Sequence, residues 1–254
     1  MPKTKADEAL TEGEMAWREG NAPRAREAYR RARLFFHEAD DQEGEGGALM
    51  ALGEIEHRSG HNNMAREAFV EARQLYLTAK LPHDQAKVLT NLGELSRDEG
   101  NIEEAVNFYL SARELFEGAS DPGGQAHCHK HLGHISRDDG REDMALDSYR
   151  LARDLYRQAK DTLGEAVTLR ALASTQARLG NLDQAHVEYE KAINLFRDLG
   201  DILGEAQTLA DLATVLKENG DGADAVGFFH KAANLFGKAG VSAMRERMLA
   251  EAGA

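Results

Sequence analysis

Small and apolar residues recur along this chain at a fixed interval. Alanines stand at Ala25, Ala65, Ala105, Ala145, Ala185 and Ala225, each forty residues from the last. Four residues after each comes a ring: Tyr29, Phe69, Tyr109, Tyr149, Tyr189 and Phe229. A second alanine set follows (Ala32, Ala72, Ala112, Ala152, Ala192, Ala232), then a second ring set (Phe36, Tyr76, Phe116, Tyr156, Phe196, Phe236). Steps of four, three and four keep these side chains on one face of a 3.6-residue helix. The two ring columns use twelve of the sixteen aromatic residues, so ring burial is tied to the period, as in repeat architectures.

A second helix is written into each period. Leu49, Leu52 and Ile55, or Leu89, Leu92 and Leu95, recur at steps of three, and Gly53, Gly93 and Gly133 put a small residue beside the core leucine. Ala173 and Ala213 keep that place small later on. Gly20, Gly60, Gly100, Gly140, Gly180 and Gly220 separate the two helices and are expected in the left-handed conformation that closes a helix. Asn21, Asn101, Asn181 and Asp221 follow them as N-caps for the second helix. Asp41, Asp121, Asp161 and Asp201 mark the joint before each next first helix. Helices of roughly 16 residues are about 24 Å long. Such a hairpin cannot cover its own apolar faces, so it stacks on its neighbours. The division expected is six repeats, 1–40, 41–80, 81–120, 121–160, 161–200 and 201–240, with 241–254 forming a capping helix through Met244, Met248 and Leu249.

Composition removes several classes. Four prolines in 254 residues leave most of the chain free to be helix. No run approaches the ~20 apolar residues of a membrane span, and the opening MPKTKADEALTEGEMAW has no apolar signal core. A lone cysteine, Cys128, excludes an internal disulfide framework and fits a reducing, cytoplasmic setting. The net charge of −13 argues against nucleic acid and anionic lipid as partners.

The alanines, the rings and the Leu-Gly pair resemble the tetratricopeptide repeat across all six periods. Its usual length is 34 residues; forty is similar to the longer form in the Pins/LGN type of adaptor. The family's proline near the end of the second helix is missing, its place taken by His37, Leu77, Glu117, Arg157, Arg197 and Gly237. The resemblance implies an all-α, right-handed superhelical solenoid of six helical hairpins plus the capping helix. It also implies that the first helices line a concave groove that binds a peptide or helix of another protein.

Carried over position by position, that groove is lined by Lys87, Asn91, Arg97, His127, Lys130, His131, His134, Arg137, Arg170 and Arg178. Cationic residues gathered in a hollow of an anionic protein favour an acidic partner segment, because field concentrates there. Asn91 would bond the peptide backbone. Against this, Asp98 and Asp138 stand next to Arg97 and Arg137 and could neutralise them. The family's carboxylate clamp for chaperone tails needs Lys and Asn where this chain has Met50, Glu54, His127 and His131; only Asn91 matches.

Four histidines fall within eight residues, and His127, His131 and His134 share a helical face at metal-binding spacing. Glu94 on the neighbouring helix could add a carboxylate. His129 falls in the core column of Leu49 and Leu89 and is expected to pack. No catalytic elbow, phosphate loop or CxxC pair is present. The histidines beside Cys128 point away from it on a helix. A non-catalytic adaptor without a cofactor is expected. The rivals are a homo-oligomer assembled through its terminal helices and, more distantly, a metal-binding protein. Signal-peptide-regulated family members carry an extra N-terminal helical domain; repeats that start by residue six do not suggest an aspartyl-phosphatase regulator of that kind.

Overall fold

The forty-residue spacing is helical throughout. A computed structural model describes residues 2–253 and contains, among them, thirteen α-helices and no strand. The first helices of the hairpins are α1 (Pro2–Arg18), α3 (Gln42–Arg58), α5 (Pro82–Asp98), α7 (Pro122–Asp138), α9 (Thr162–Arg178) and α11 (Ile202–Glu218). Their partners are α2 (Ala22–Glu38), α4 (Asn62–Thr78), α6 (Ile102–Gly118), α8 (Glu142–Ala159), α10 (Leu182–Leu199) and α12 (Gly222–Lys238). Helix α13 (Ser242–Gly253) closes the chain. Two compact units divide between Cys128 and His129, within α7. None of the described helices is long and apolar enough to cross a membrane.

Both kinds of joint rest on left-handed residues. Gly20, Gly60, Gly100, Gly140, Gly180 and Gly220 have φ between 73° and 94°, as their spacing predicts. The second joint was less legible: Asp40, Lys80, Ser120 and Lys160 adopt φ of 54–58° although they carry a Cβ, and only Gly200 and Gly240 relieve that strain.

Capping divides unequally between the two joints. Asp41, Asp121, Asp161 and Asp201 each accept a hydrogen bond from the backbone N–H three residues on, at 2.8–3.0 Å. At the other joint only Asn21 caps with its side chain, accepting from the Arg24 N–H at 3.1 Å. Asn101, Asn181 and Asp221 make no such bond. Asn181 instead donates through Nδ2 to Gln176 Oε1 at 2.8 Å, and Asn101 turns toward Glu99. Asn181 thus pairs with a side chain of the preceding helix, and Asn101 with the residue that caps that helix's end.

Rings seated on glycines hold the hairpins together. A Cβ placed on Gly13, Gly53, Gly93 or Gly133 would stand 2.4–2.8 Å from Tyr29, Phe69, Tyr109 or Tyr149. The second ring column does the same across hairpins: Gly44, Gly124, Gly164 and Gly204 leave room for Phe36, Phe116, Tyr156 and Phe196. Tyr76 departs from this pattern because Asp84 stands where its glycine would be; it leans on Gly46 of its own hairpin. Burying such rings contributes about 1.5–3 kcal/mol each. Met248 of α13 is buried in the same core as Phe229 and Phe236, while Leu249 stays exposed.

Candidate functional site

In the first unit, α3, α5 and the start of α7 border a recess of about 380 Å³. Met50 and Phe116 form apolar walls, and Glu54, Lys87, Thr90, Asn91 and His127 supply polar atoms. Three predicted residues, Lys87, Asn91 and His127, therefore share one hollow. Each is already engaged. Lys87 Nζ donates to Asp84 Oδ1 at 3.0 Å, Asn91 Nδ2 donates to Glu54 Oε1 at 3.3 Å, and His127 Nε2 lies 3.2 Å from Glu94 Oε1. Arg97 pairs with Asp98 at 3.3 Å, as their adjacency suggested, and His57 reaches the same carboxylate at 3.1 Å.

Glu54 stays open to solvent, yet protein crowds it. Burial pushes its carboxyl above the ordinary range; the Asn91 amide and the Arg58 charge oppose that shift, and Glu94 adds to it. Arg58, one turn further along α3, lies over the Trp17 ring, 5.2 Å from its centroid.

Cys128, at the end of this unit, is fully buried among Ala86, Leu89, Ala112 and Phe116. Burial pushes its thiol up to about 12, against a weaker pull from Thr90. It is a packing residue, inert as a nucleophile.

In the second unit, Lys130 and Arg137 are half-buried on α7, and Arg137 pairs with Asp138 at 2.9 Å. His131 is buried, and His134 Nδ1 lies 2.7 Å from the Tyr149 hydroxyl. His129 is half-buried rather than sealed in the core like Leu49 and Leu89. Arg170 Nη1 donates to Gln207 at 2.7 Å and stands 3.9 Å from Asp211, whose carboxyl burial raises above its usual range. Arg178 reaches Glu142 at 2.6 Å and borders a recess of about 470 Å³ with Ser174, Tyr189, Asp211, Thr214 and Arg247. Helix α13 flanks this hollow through Arg247, and Lys217 holds it by an ion pair to Glu251 at 3.1 Å.

The sequence named the cationic positions and two of their partners, Asp98 and Asp138, but not the others. Asp84, three residues before Lys87, was legible as an i,i+3 pair. Glu142, Gln207 and Asp211 come from other helices, and only the packing brings them in.

Helical hairpins at a fixed period, with small residues under rings, are the tetratricopeptide-like class of repeat. Within that class the chain belongs to the family described as soluble NSF attachment protein, SNAP, whose profile matches residues 57–191. No curated protein matches the sequence.

Solved structures share the fold at low identity. BtubC (BKLC) from P. vanneervenii is 19% identical with a TM-score of 0.74, over 87% of this chain and 90% of that one. PilF of Pseudomonas aeruginosa is 18% identical with a TM-score of 0.67, over 98% and 99%. A Rap protein complexed with Competence and Sporulation Factor is 14% identical with a TM-score of 0.72, over 100% and 76%. At such identities the likeness shows the fold, an all-helical tetratricopeptide-like solenoid, and nothing finer.

Proposed function

We propose that this protein is a non-catalytic adaptor that binds a peptide or helical segment of another protein along the faces of its first helices. The chain then reads as six forty-residue repeats with residues 241–254 as a cap, a length shared with the Pins/LGN type of adaptor. The Rap complex named above, a protein of the same fold holding another molecule, lends the reading support by analogy.

One observation carries it. Two cations of the α7 and α9 faces, Arg137 and Arg170, stand beside carboxylates that solvent reaches, Asp138 and Asp211. Such exposed pairs contribute about 0–1 kcal/mol each, so an incoming acidic segment exchanges with them at small cost. Arg137, Arg170 and Arg178, with Lys130 and the polar rings of His131 and His134, would carry the acidic part of the partner. Lys87, Asn91, Arg97 and His127 would meet its remainder in the first unit. The buried, protonated thiol of Cys128 agrees with a role outside catalysis.

Capture of partners from cell extract by wild type and by the K130E/R137E variant tests this reading. The captured protein should lose affinity for the variant by tenfold or more, or about 1.4 kcal/mol, and more steeply at low salt. Equal capture by both proteins at every salt concentration would remove the proposal.

A further inference from the structure

The recess of the first unit differs in chemistry from the cationic faces of α7 and α9. Its rim carboxylate, Glu54, has a natural partner in Arg58, four residues on, yet that guanidinium is drawn over Trp17. Among the described residues no cation comes within ion-pair distance of Glu54, and its one hydrogen-bond partner is the neutral amide of Asn91. The other acidic group in the lining, Asp121, is consumed by His83 at 2.9 Å and by the Gly124 N–H at 3.0 Å. The lysine in the lining, Lys87, is held by Asp84. What is left is an open carboxylate above a hollow walled by Met50, Phe116 and the buried Thr90.

We infer that this recess takes a lysine or arginine side chain of the partner segment, its aliphatic stem against Met50 and Phe116 and its cation at Glu54. The inference rests on the adaptor reading and sharpens it: the partner segment carries a basic anchor as well as an acidic stretch.

Three features choose this occupant. Long cationic side chains bury their methylenes while keeping the charged head in water, which suits a recess walled by Met50 and Phe116 with the exposed Glu54 carboxylate in its lining. An acidic side chain would meet Glu54 and the nearby Glu94 with like charge, and an apolar one would leave the crowded carboxylate uncompensated. Position matters too. The places on the second-unit helices equivalent to Glu14, Glu54 and Glu94 hold His134, Ser174 and Thr214, so the acidic register ends with α5.

The test uses small probes on the whole protein: the lysine side chain as Nα-acetyl-lysine methylamide, its uncharged norleucine analogue, and the glutamate analogue. Side-chain NMR signals of Asn91 and Glu54 are followed in the wild type and in Glu54→Gln. The lysine probe should shift both signals saturably and lower the pH at which Glu54 titrates, because a bound cation favours the carboxylate. The two other probes should leave both signals in place. Glu54→Gln keeps the shape and the acceptor for Asn91 and should weaken lysine binding by about fivefold or more. Norleucine binding as well as lysine, or an unmoved Glu54 titration at saturation, overturns the inference. That second readout needs no variant. The result is independent of the K130E/R137E experiment: a silent recess with intact acidic-partner binding sinks this inference alone, and the reverse outcome sinks only the acidic reading.

Discussion

The ring of Phe69 lies 2.4 Å from the point where a Cβ on Gly53 would stand. Nothing at that distance fits without movement, and both residues are sealed in the core. Gly53→Ala should therefore cost about 1–3 kcal/mol, the range for overpacking, despite alanine's better helix propensity. Gly227, inside α12, has open space where its Cβ would go. Gly227→Ala should stabilise by about 0.5–1 kcal/mol. Urea midpoints of the two variants should move in opposite directions; a shared direction would show that helix propensity, not ring contact, sets the outcome.

Lys160 stands at φ 58°, left-handed with a Cβ, where Gly200 fills the equivalent joint. Lys160→Gly should raise stability by up to about 1 kcal/mol by removing that strain, less the added chain entropy of glycine. Gly140→Ala imposes the same strain at the other joint and should lower stability by a similar amount. Thermal melts of the pair check both signs.

Arg26 clamps a buried carboxylate. Its Nε and Nη2 donate to Glu56 at 2.6 and 3.1 Å, and His61 Nδ1 lies 2.7 Å from the same group. Arg26→Ala leaves Glu56 buried with one partner fewer, a loss of about 2–3 kcal/mol. Chemical denaturation at neutral pH measures it.

The same carboxylate sets an acid limit. Burial alone would raise the Glu56 pKa, but the Arg26 and His61 bonds outweigh it and hold the group below its ordinary 4.5. Asp121 is likewise lowered, by the Gly124 N–H and His83 against burial. With the folded pKa below the unfolded one, this stability is complete above the ordinary carboxylate value and drains away as pH falls through the folded one. Glu54 and Asp211 are raised by burial and act in the opposite sense. Glu56→Gln should flatten the decline in unfolding free energy between about pH 5 and about pH 3. An unchanged slope would mean that Glu56 is not among the groups that titrate on unfolding.

Cys128 offers a probe of opening. Its buried thiol, held near 12, should resist a soluble disulfide reagent until the surrounding helices part. Labelling should track global unfolding with added urea. Fast labelling in native buffer would show local opening around Ala86 and Phe116.

The hairpins, their core and the glycine joints were legible because the ring, alanine and glycine columns repeat without a slip. What escaped was set by competition rather than pattern. Asn101 and Asn181 are good caps by type, yet Asn181 turns to Gln176 in the preceding helix and Asn101 to Glu99 in the joint. The glycines under the second ring column, Gly44, Gly124, Gly164 and Gly204, were present at the period but take on meaning only once a ring from the previous hairpin is placed over them. Site residues suffered most. Arg170 and Arg178 read as available cations until Asp211 and Glu142 are seen beside them, because charge pairing between helices depends on side-chain reach that spacing does not encode.

The seating of Tyr156 over Gly164, and of Phe196 over Gly204, bears on how such a chain gains or loses length. Excising residues 161–200 would carry Gly204 to the place Gly164 holds, so Tyr156 would meet an equivalent surface. A deletion of a fraction of the period would instead shift every later ring and glycine column out of step with those before it, because both columns share the forty-residue spacing. Recombination between tandem copies is thus tolerated in whole modules and penalised in fractions of one, which makes the interlock a proofreader of repeat number.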